Sequence, residues 1–321
     1  MLANTLVAIV VGAAGGIGKY TAEKLASRGV FLLLADINTK EVTSLATELA
    51  QRYNIRAEAF TVDITKEDEV KKMVETATSF TGRVDYAANC AGVLRELPGG
   101  HPSQTTLDVM KLTMAVNIEG LYLCQHYQAE QMKTQPPRPL KFTHPVSDHL
   151  PGERGAIVNV ISVAGLQAVG LLAYTTSKYA GLGLTKEAAI AYGKHGIRVN
   201  ASCPGLVETP MSNGFVNDNN RSIHAAAFAM GRASHPAEQA NVLSFLLSDE
   251  SRQVLSPSKL YMTGSTITND GGYTDLKLPN YMELNGNAEG YPGSKLRNER
   301  EASESRADVD NVGLDSLSLS K

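Results

Sequence analysis

Apolar runs and amphipathic stretches alternate along this chain from its start. Residues 5–11 form a short, continuous apolar run, which is typical of a strand buried on both faces. Apolar positions then recur at helical spacing through residues 17–28, and again through residues 40–53. Further strands are expected at residues 30–35, 57–62, 84–88, 156–161 and 198–200, and before Gly264. Further helices are expected around Val70 and Met73 and at residues 105–132, 174–193 and 236–248.

Repeated strand–helix units of this size predict a parallel sheet covered by helices on both faces. We therefore expect about seven strands in a single doubly wound, Rossmann-type α/β domain spanning residues 1–274. Residues 133–154 are rich in proline and polar residues, which predicts an inserted surface loop. Residues 275–321 are polar, charged and rich in Ser, Asn and Glu, which predicts a flexible C-terminal tail.

Composition argues against several classes of function. The chain has 321 residues, a formal net charge of −3 and no long basic block, so neither nucleic acid nor a membrane surface is an expected partner. Its three cysteines lie far apart without metal-ligand spacing, which favours a reducing, cytoplasmic location. We interpret His101, His144 and His149 as solvated loop residues and predict no metal site. No apolar run approaches the length of a membrane span, and the first run lacks the basic region of a signal peptide.

A glycine-rich turn follows the first predicted strand and opens the first predicted helix. Gly12, Gly16 and Gly18 lie there in a G-x-x-x-G-x-G spacing. Such a turn lets the backbone approach a pyrophosphate, and the helix N-terminus offers unpaired N–H groups and the positive end of its dipole. The string alone also fits a glycine-rich turn that binds no ligand.

Asp36 ends the second predicted strand, on the side where dinucleotide-binding folds hold an adenosine ribose. A carboxylate there accepts hydrogen bonds from the ribose hydroxyls and repels a 2′-phosphate, and Ile37 adds no positive charge to bind that phosphate. Both residues favour NAD(H) over NADP(H). Asp36 is also suited to cap the next helix, but Asn38 can serve as that cap and leave Asp36 free for the ribose.

Tyr174 and Lys178 are four positions apart near the start of a predicted helix, so both side chains can face one site. A phenol ordinarily titrates near ~10, and a neighbouring ammonium is expected to lower its pKa toward the range of a useful base. A Y-x-x-x-K string arises often by chance, but this one follows Ser162 at the end of a strand. That end is the edge at which open α/β sheets bind ligands.

These motifs together resemble the short-chain dehydrogenase/reductase family over residues 5–273. The resemblance implies a cofactor site formed by Gly12, Gly16, Ile17, Gly18, Asp36, Asp63, Ile64, Asn89, Ala91, Gly92, Tyr174, Lys178, Pro204, Gly205, Val207 and Thr209. It also implies four catalytic residues, Asn117, Ser162, Tyr174 and Lys178.

The resemblance further implies a mechanism. Tyr174 as phenolate takes the alcohol proton while hydride moves to the nicotinamide, and Ser162 holds the reacting oxygen. Lys178 lowers the pKa of Tyr174 and binds the nicotinamide ribose. Asn117 holds a water that links Lys178 to solvent.

The chain departs from the family pattern at three points. Val11 stands where the family usually has threonine, and Gly15 replaces a common serine. The separation between Ser162 and Tyr174 is one residue shorter than usual, and we expect the loop at residues 166–170 to absorb the difference.

The predicted activity is interconversion of a secondary alcohol and a ketone with NAD(H). By the resemblance, residues 205–235 form a lid over the substrate. Its apolar side chains include Met211, Phe215, Phe228 and Met230. They suit a bulky apolar molecule of terpenoid, steroid-like or polyketide type, although packing of the lid alone needs the same residues.

Two other interpretations stay open. One is an NADPH-dependent ketoreductase, and the other is a catalytically silent NAD-sensing or scaffold protein on this fold. By analogy with the family, we expect a homodimer or homotetramer formed through the helices at residues 105–132 and 174–193.

Overall fold

The structure of the protein is a computed structural model that describes residues 5–96, 102–139, 152–213, 228–251 and 262–274. Within these ranges, two units are distinguished: residues 228–232 and 271–274 form the smaller, and all the others form the larger. The predicted tail and most of the predicted inserted loop lie outside the described residues. No helix among the described residues is long and apolar enough to cross a membrane.

Seven strands lie in the larger unit: β1 (Val7–Val11), β2 (Phe31–Asp36), β3 (Ala57–Thr61), β4 (Tyr86–Asn89), β5 (Gly155–Val160), β6 (Ile197–Pro204) and β7 (Thr266–Asn269). They form one sheet in the order β3–β2–β1–β4–β5–β6–β7, and all neighbouring strands are parallel. This confirms the predicted doubly wound sheet. The strand order reverses between β1 and β4, and the carboxyl ends of these strands border the crevice in which such sheets bind dinucleotides.

The position predicted for the last strand was wrong. It was expected before Gly264, whereas β7 begins after that residue, at Thr266. Gly264 has a φ of +67°, which favours glycine, and its N–H donates to the Val199 carbonyl of β6 at 2.7 Å. Gly264 therefore turns the chain into the last strand.

The described residues contain seven α-helices: α1 (Gly16–Ala26), α2 (Thr39–Tyr53), α3 (Glu67–Thr78), α4 (Leu107–Met114), α5 (Leu121–Thr134), α6 (Leu172–Gly193) and α7 (Pro236–Leu247). A π-helical turn, Ala115–Gly120, joins α4 to α5. The helix predicted at residues 105–132 is thus one helical stretch with an irregular centre.

The core lies on both faces of the sheet. In β1, Val7, Ile9 and Val11 contribute to the face covered by α3, α5 and α6, whereas Ala8 and Val10 contribute to the face covered by α1, α2 and α7. Because both faces are dry, the strands read as unbroken apolar runs in the sequence.

Buried charges fix both ends of the predicted inserted loop at the amino edge of the sheet. The main chains of Arg138 and Glu153 pair through N–H···O distances of 2.7 and 3.0 Å. The Glu153 carboxylate also binds Arg198 of β6, with Nε to Oε2 at 3.0 Å. Replacing only one partner of such a pair by a neutral residue is strongly destabilising, because the other charge is left buried without a counter-charge.

Candidate active site

The glycine-rich turn leaves β1 at Gly12, whose φ is +78°. The N–H groups of Gly12 and Ala13 both donate to the Ala35 carbonyl, at 2.8 and 3.2 Å. A Cβ added at Gly12 would lie 2.6 Å from the main-chain nitrogen of Ala91, in the segment after β4. The turn therefore packs directly against the backbone that follows β4.

Gly16 and Gly18 are equally constrained. A Cβ at Gly16 would collide with the Thr209 methyl group, and one at Gly18 would collide with the Gly12 carbonyl oxygen. Gly15 has room for a side chain, since a Cβ there meets only the Gly12 oxygen, at 3.6 Å. A serine would therefore fit at this position without changing the turn.

The start of α1 is suited to bind a dinucleotide. Gly15 precedes the helix and makes no side-chain cap, and the first intrahelical hydrogen bond runs from Lys19 N–H to the Gly15 carbonyl at 2.8 Å. The N–H groups of Gly16, Ile17 and Gly18 consequently have no acceptor within the helix. A glycine-rich cradle at a helix N-terminus fits the pyrophosphate of a dinucleotide.

Asp36 and Asn38 divide two tasks at the end of β2. Asn38 caps α2 by accepting from Glu41 N–H at 3.3 Å, as predicted. Asp36 is not free, however, because Oδ2 accepts from Ala14 N–H and Oδ1 from Asn38 N–H, both at 2.9 Å. Each oxygen keeps a further lone pair for a ribose hydroxyl. The bond to Ala14 also braces the glycine turn, which Val11 has no hydroxyl to do.

The predicted adenine contacts follow β3. The Asp63 Oδ1 accepts from both the N–H and the hydroxyl of Thr65, at 3.0 and 2.7 Å. Burial raises the pKa of Asp63, but the bonds from Thr65 and the nearby Lys66 lower it more, so the net shift is downward. Ile64 packs on Gly120 so closely that a Cβ added at Gly120 would lie 2.6 Å from its Cγ1.

A buried amide network lies beneath this edge of the sheet. Asn89 Nδ2 donates to Gln128 Oε1 and to Asn159 Oδ1, each at 3.0 Å, and Gln128 Nε2 donates back to Asn89 Oδ1 at 2.9 Å. Asn159 in turn donates to Gln125 and Thr185, at 2.6 and 3.0 Å. The Asn89 side chain thus braces β4, β5 and α5, so any contact with a cofactor would come from its main chain.

The structure brings Ser162, Tyr174 and Lys178 together at the carboxyl edge of β5. The Ser162 hydroxyl accepts from Ala164 N–H at 3.1 Å and lies close enough to the Tyr174 phenol to lower its pKa. Lys178 Nζ lies 5.3 Å from the centroid of the Tyr174 ring and donates to the Val160 carbonyl at 3.2 Å. The shorter Ser162–Tyr174 spacing therefore does not separate the two side chains.

Burial dominates the electrostatics of these groups. It raises the pKa of Tyr174 to about 12, against the lowering effect of the Ser162 hydrogen bond. It lowers the pKa of Lys178 to about 8, although Cys203 and Cys90 act in the opposite direction. The expected lowering of the Tyr174 pKa below its usual value is therefore not seen in this structure, because loss of solvation outweighs the lowering by Ser162.

Asn117 lies in the π-helical turn, and its side chain is 4% exposed. Its Oδ1 accepts from Val93 N–H at 2.8 Å, and its Nδ2 donates to the Val93 carbonyl and to Ser177 Oγ, both at 3.0 Å. One lone pair of Oδ1 is left for a water. A Cβ added at Gly92 would lie 3.3 Å from this Oδ1 and 3.6 Å from Lys178 Nζ, so Gly92 lies between the two groups.

Strand β6 ends at Pro204, and the segment that begins at Gly205 reaches the glycine turn through Thr209. Ser212 Oγ donates to the Val207 carbonyl at 2.7 Å and accepts from Thr209 N–H at 3.0 Å. This compact turn places the Thr209 methyl group over Gly16.

The predicted lid at residues 205–235 is described only in part, because residues 214–227, including Phe215, lie outside the described residues. Met211, in the larger unit, is 43% exposed. In the smaller unit, Phe228 packs against Tyr273 with ring centroids 5.2 Å apart, and Met230 is exposed. Among the described residues, no group of three or more His, Cys, Asp or Glu side chains is arranged to hold a metal ion.

A doubly wound sheet with this turn and this constellation defines a nicotinamide-dependent oxidoreductase. A family model described as Enoyl-(Acyl carrier protein) reductase matches residues 12–274. The chain belongs to the short-chain dehydrogenase/reductase family, whose members use NAD or NADP, act on small molecules and are usually oligomeric.

Named relatives agree with this assignment. The chain is 37% identical over 278 residues to the short-chain dehydrogenase fogB of Aspergillus ruber, covering 83% of this chain and 96% of the relative. It is 34% identical over 273 residues to a 2,5-dichloro-2,5-cyclohexadiene-1,4-diol dehydrogenase of Sphingobium indicum, covering 84% and 96%. A crystal structure of a short-chain type dehydrogenase/reductase from Mycobacterium marinum matches with a TM-score of 0.72 and 26% identity, covering 84% of this chain and 96% of that one.

Proposed function

We propose that this protein is an NAD(H)-dependent dehydrogenase that interconverts a secondary alcohol and a ketone. The observation that carries the proposal is the convergence of Ser162, Tyr174 and Lys178 beside the glycine turn, at the carboxyl edge of the sheet. A silent scaffold would have no need to keep these three side chains together. The name of the Sphingobium relative, a cyclohexadiene-diol dehydrogenase, supports a cyclic alcohol as the kind of substrate.

The residues that would hold the cofactor follow from the cradle. The first-turn N–H groups of α1 would bind the pyrophosphate, Asp36 the adenosine ribose, and Ile64 the adenine. Lys178 would bind the nicotinamide ribose, and Thr209 the carboxamide. When bound, the cofactor accepts the hydride, and its oxidised form adds a positive charge that lowers the pKa of a nearby phenol.

The chain's own residues would move the proton and hold the substrate. Ser162 donates its hydroxyl hydrogen to the reacting oxygen, and Tyr174 Oη as phenolate accepts the alcohol proton. The Lys178 ammonium stabilises that phenolate, because an opposite charge nearby favours the ionised form. A water on Asn117 Oδ1 would then connect Lys178 to solvent.

The test of the proposal is turnover of secondary alcohols of increasing size. We expect oxidation of cyclohexanol with NAD, and a higher kcat/KM for decahydro-2-naphthol, since the exposed Met211 suits an apolar, terpenoid- or polyketide-like ring system. The formation of reduced nicotinamide measures the rate. Binding of NAD without oxidation of either alcohol, and without reduction of the ketones, would instead support the silent scaffold; faster reaction with NADP(H) would support the NADPH-dependent ketoreductase.

We also propose a reducing, cytoplasmic location. Cys90, Cys124 and Cys203 are all free thiols. Burial raises the pKa of Cys90 and Cys124 to about 12 and that of Cys203 to about 11, so all three are protonated near neutral pH.

An apolar face on α6 supports a homodimer or homotetramer. Tyr179 and Ile190 on this helix are 48% and 73% exposed, and Tyr122 on α5 is 47% exposed. Between the α6 side chains lies Gly183, where an added Cβ would meet nothing within 4 Å. Small residues among exposed apolar ones let a second helix approach closely, so we infer that this face packs on another copy of the chain.

A bulky charge at the centre of this face should prevent assembly. We expect Gly183→Lys to lower the molecular mass measured by sedimentation while leaving the circular dichroism spectrum unchanged, because the site is open within one chain. Gly193→Lys is the matched control, since Gly193 is also on α6 and also open but lies at the helix end. An unchanged mass for Gly183→Lys would place the contact elsewhere.

A further inference from the structure

Glu96 reaches from the segment after β4 to the start of the helix that carries Tyr174. Its Oε1 accepts from Ala173 N–H at 2.7 Å, and its Oε2 accepts from Tyr174 N–H at 2.9 Å. The Thr105 hydroxyl donates to the same Oε1 at 3.2 Å and holds the carboxylate from its other side. Both oxygens of one side chain are thus used on the first turn of α6.

Helix α6 has no cap of its own. The residue before it, Leu171, has no polar side chain and makes no cap hydrogen bond. By contrast, the side chains of Asn38, Thr106 and His235 accept N–H groups at the starts of α2, α4 and α7. The first-turn N–H groups of any helix lack acceptors within the helix, so in α6 two of them depend on Glu96.

We propose that Glu96 is a positioning residue for Tyr174. Resting on the proposed function, this assigns to a residue outside the family motifs the task of fixing the main chain of the catalytic base. Glu96 follows the segment that contains Ala91 and Gly92, which packs on the glycine turn and on Lys178. The Glu96 carboxylate therefore fixes the position of the Tyr174 phenol relative to the glycine turn that would hold the cofactor.

The loop before α6 explains why such a tie is needed. Tyr174 lies one residue closer to Ser162 than is usual, and the intervening segment includes Gly170 at a φ of +79°, with no neighbour within 4 Å of an added Cβ. That loop offers little packing to hold the helix start. Misplacing a reacting group by about 1 Å lowers rates by about 100-fold, so an anchor at Tyr174 N–H has a catalytic consequence.

The test compares Glu96→Ala with Glu238→Ala. Glu238 is the matched control because its carboxylate accepts the His235 N–H at the start of α7, a helix without proposed catalytic residues. Removing either anchor costs about 1 kcal/mol of stability, so a purely structural role predicts the same behaviour in both variants.

We expect Glu96→Ala to lower kcat for cyclohexanol or decahydro-2-naphthol about 10- to 100-fold, with the KM for NAD changed less than about twofold. Hydrogen exchange, which needs no substrate, should become at least about tenfold faster at the N–H groups of Ala173 and Tyr174. Adding Leu171→Asp to Glu96→Ala should restore part of kcat and part of the protection of these N–H groups from exchange. Leu171 precedes the helix with extended φ and ψ, which suit a capping residue. Glu238→Ala should show none of these changes.

Equal kcat for Glu96→Ala and Glu238→Ala would overturn the inference, as would unchanged exchange at Tyr174. If Glu96→Ala does not fold, Glu96→Gln is used in its place, since glutamine keeps the side-chain volume but offers only one acceptor oxygen to two N–H groups. A kcat for Glu96→Gln equal to that of the parent would then contradict the inference. A Tyr174→Phe variant distinguishes failure of the proposed function from failure of the proposed role of Glu96. Full activity in Tyr174→Phe removes the proposed function itself, whereas an inactive Tyr174→Phe beside a fully active Glu96→Ala removes only the role of Glu96.

Discussion

Replacing Tyr174 by phenylalanine is expected to lower kcat for alcohol oxidation about 100- to 10,000-fold, the usual contribution of a positioned acid–base group. The substitution removes only Oη, so the ring still fills its place beside Lys178 and Ser162. What is lost is the acceptor for the alcohol proton. Steady-state rates with cyclohexanol and NAD measure the effect, and the dissociation constant for NADH, from its fluorescence, should change little.

Tyr192→Phe is the matched control for this experiment. Tyr192 lies on the same helix, and its phenol contacts His126 Nδ1 at 3.1 Å, away from Ser162 and Lys178. Its loss should leave kcat within about twofold of the parent, as for other changes remote from the reacting groups. A Tyr174→Phe enzyme that oxidises alcohols as fast as the parent would show that another group accepts the proton.

Replacing Asp36 by asparagine is expected to lower the preference for NAD over NADP, measured as the ratio of the two kcat/KM values, by at least about 100-fold, since two like charges a few ångströms apart repel by several kcal/mol. Asparagine keeps an oxygen that can accept from Ala14 or Asn38, so part of the brace on the glycine turn survives. Adding Ile37→Arg should raise kcat/KM with NADP further, because a guanidinium binds phosphate well.

The control for the cofactor experiment is Asp68→Asn, which removes a carboxylate that is 99% exposed on α3. It should leave the ratio unchanged, since a fully solvated charge is screened by water and salt. A parent enzyme that already prefers NADP, or an Asp36→Asn variant with an unaltered ratio, would contradict the role given to Asp36.

The sheet was predictable because most of its strands can be recognised from the pattern of apolar residues in the sequence. Strands such as β1 and β5 are buried on both faces, so they appear as apolar runs between helices of clear periodicity. The strand β7 was misplaced because it is short, only partly buried and has a single apolar residue, Ile267, and so gives no apolar run. The glycine before it was taken for the end of a strand, although its positive φ marks the start.

The site was predictable only as far as its motifs extend. The i, i+4 spacing of Tyr174 and Lys178 places them on one helix face, and the structure has them there. The contact between Glu96 and Tyr174 spans 78 positions of the sequence, and no local pattern signals a cap supplied from so far away. The pKa of Tyr174 was misjudged for a related reason, because burial is a property of the assembled fold.

The amide network could have been found. Asn89 and Asn159 interrupt otherwise apolar strands, and a polar side chain in such a place needs a partner. Their parallel positions at the ends of β4 and β5 suggest that they meet. Gln125 and Gln128, on a helix of weak amphipathicity, carry no such signal.

The π-helical turn at Ala115–Gly120 has a geometric consequence for the two helices that it joins. One additional residue in a helical turn shifts the phase of every later side chain by about 100° around the axis. Helices α4 and α5 both contact α6, but only α5 also sets side chains, namely Cys124, Ala129 and Met132, into the core against the sheet. The change of phase thus lets one continuous helical stretch reach both a neighbouring helix and the sheet, and Asn117 lies in the turn where that change occurs.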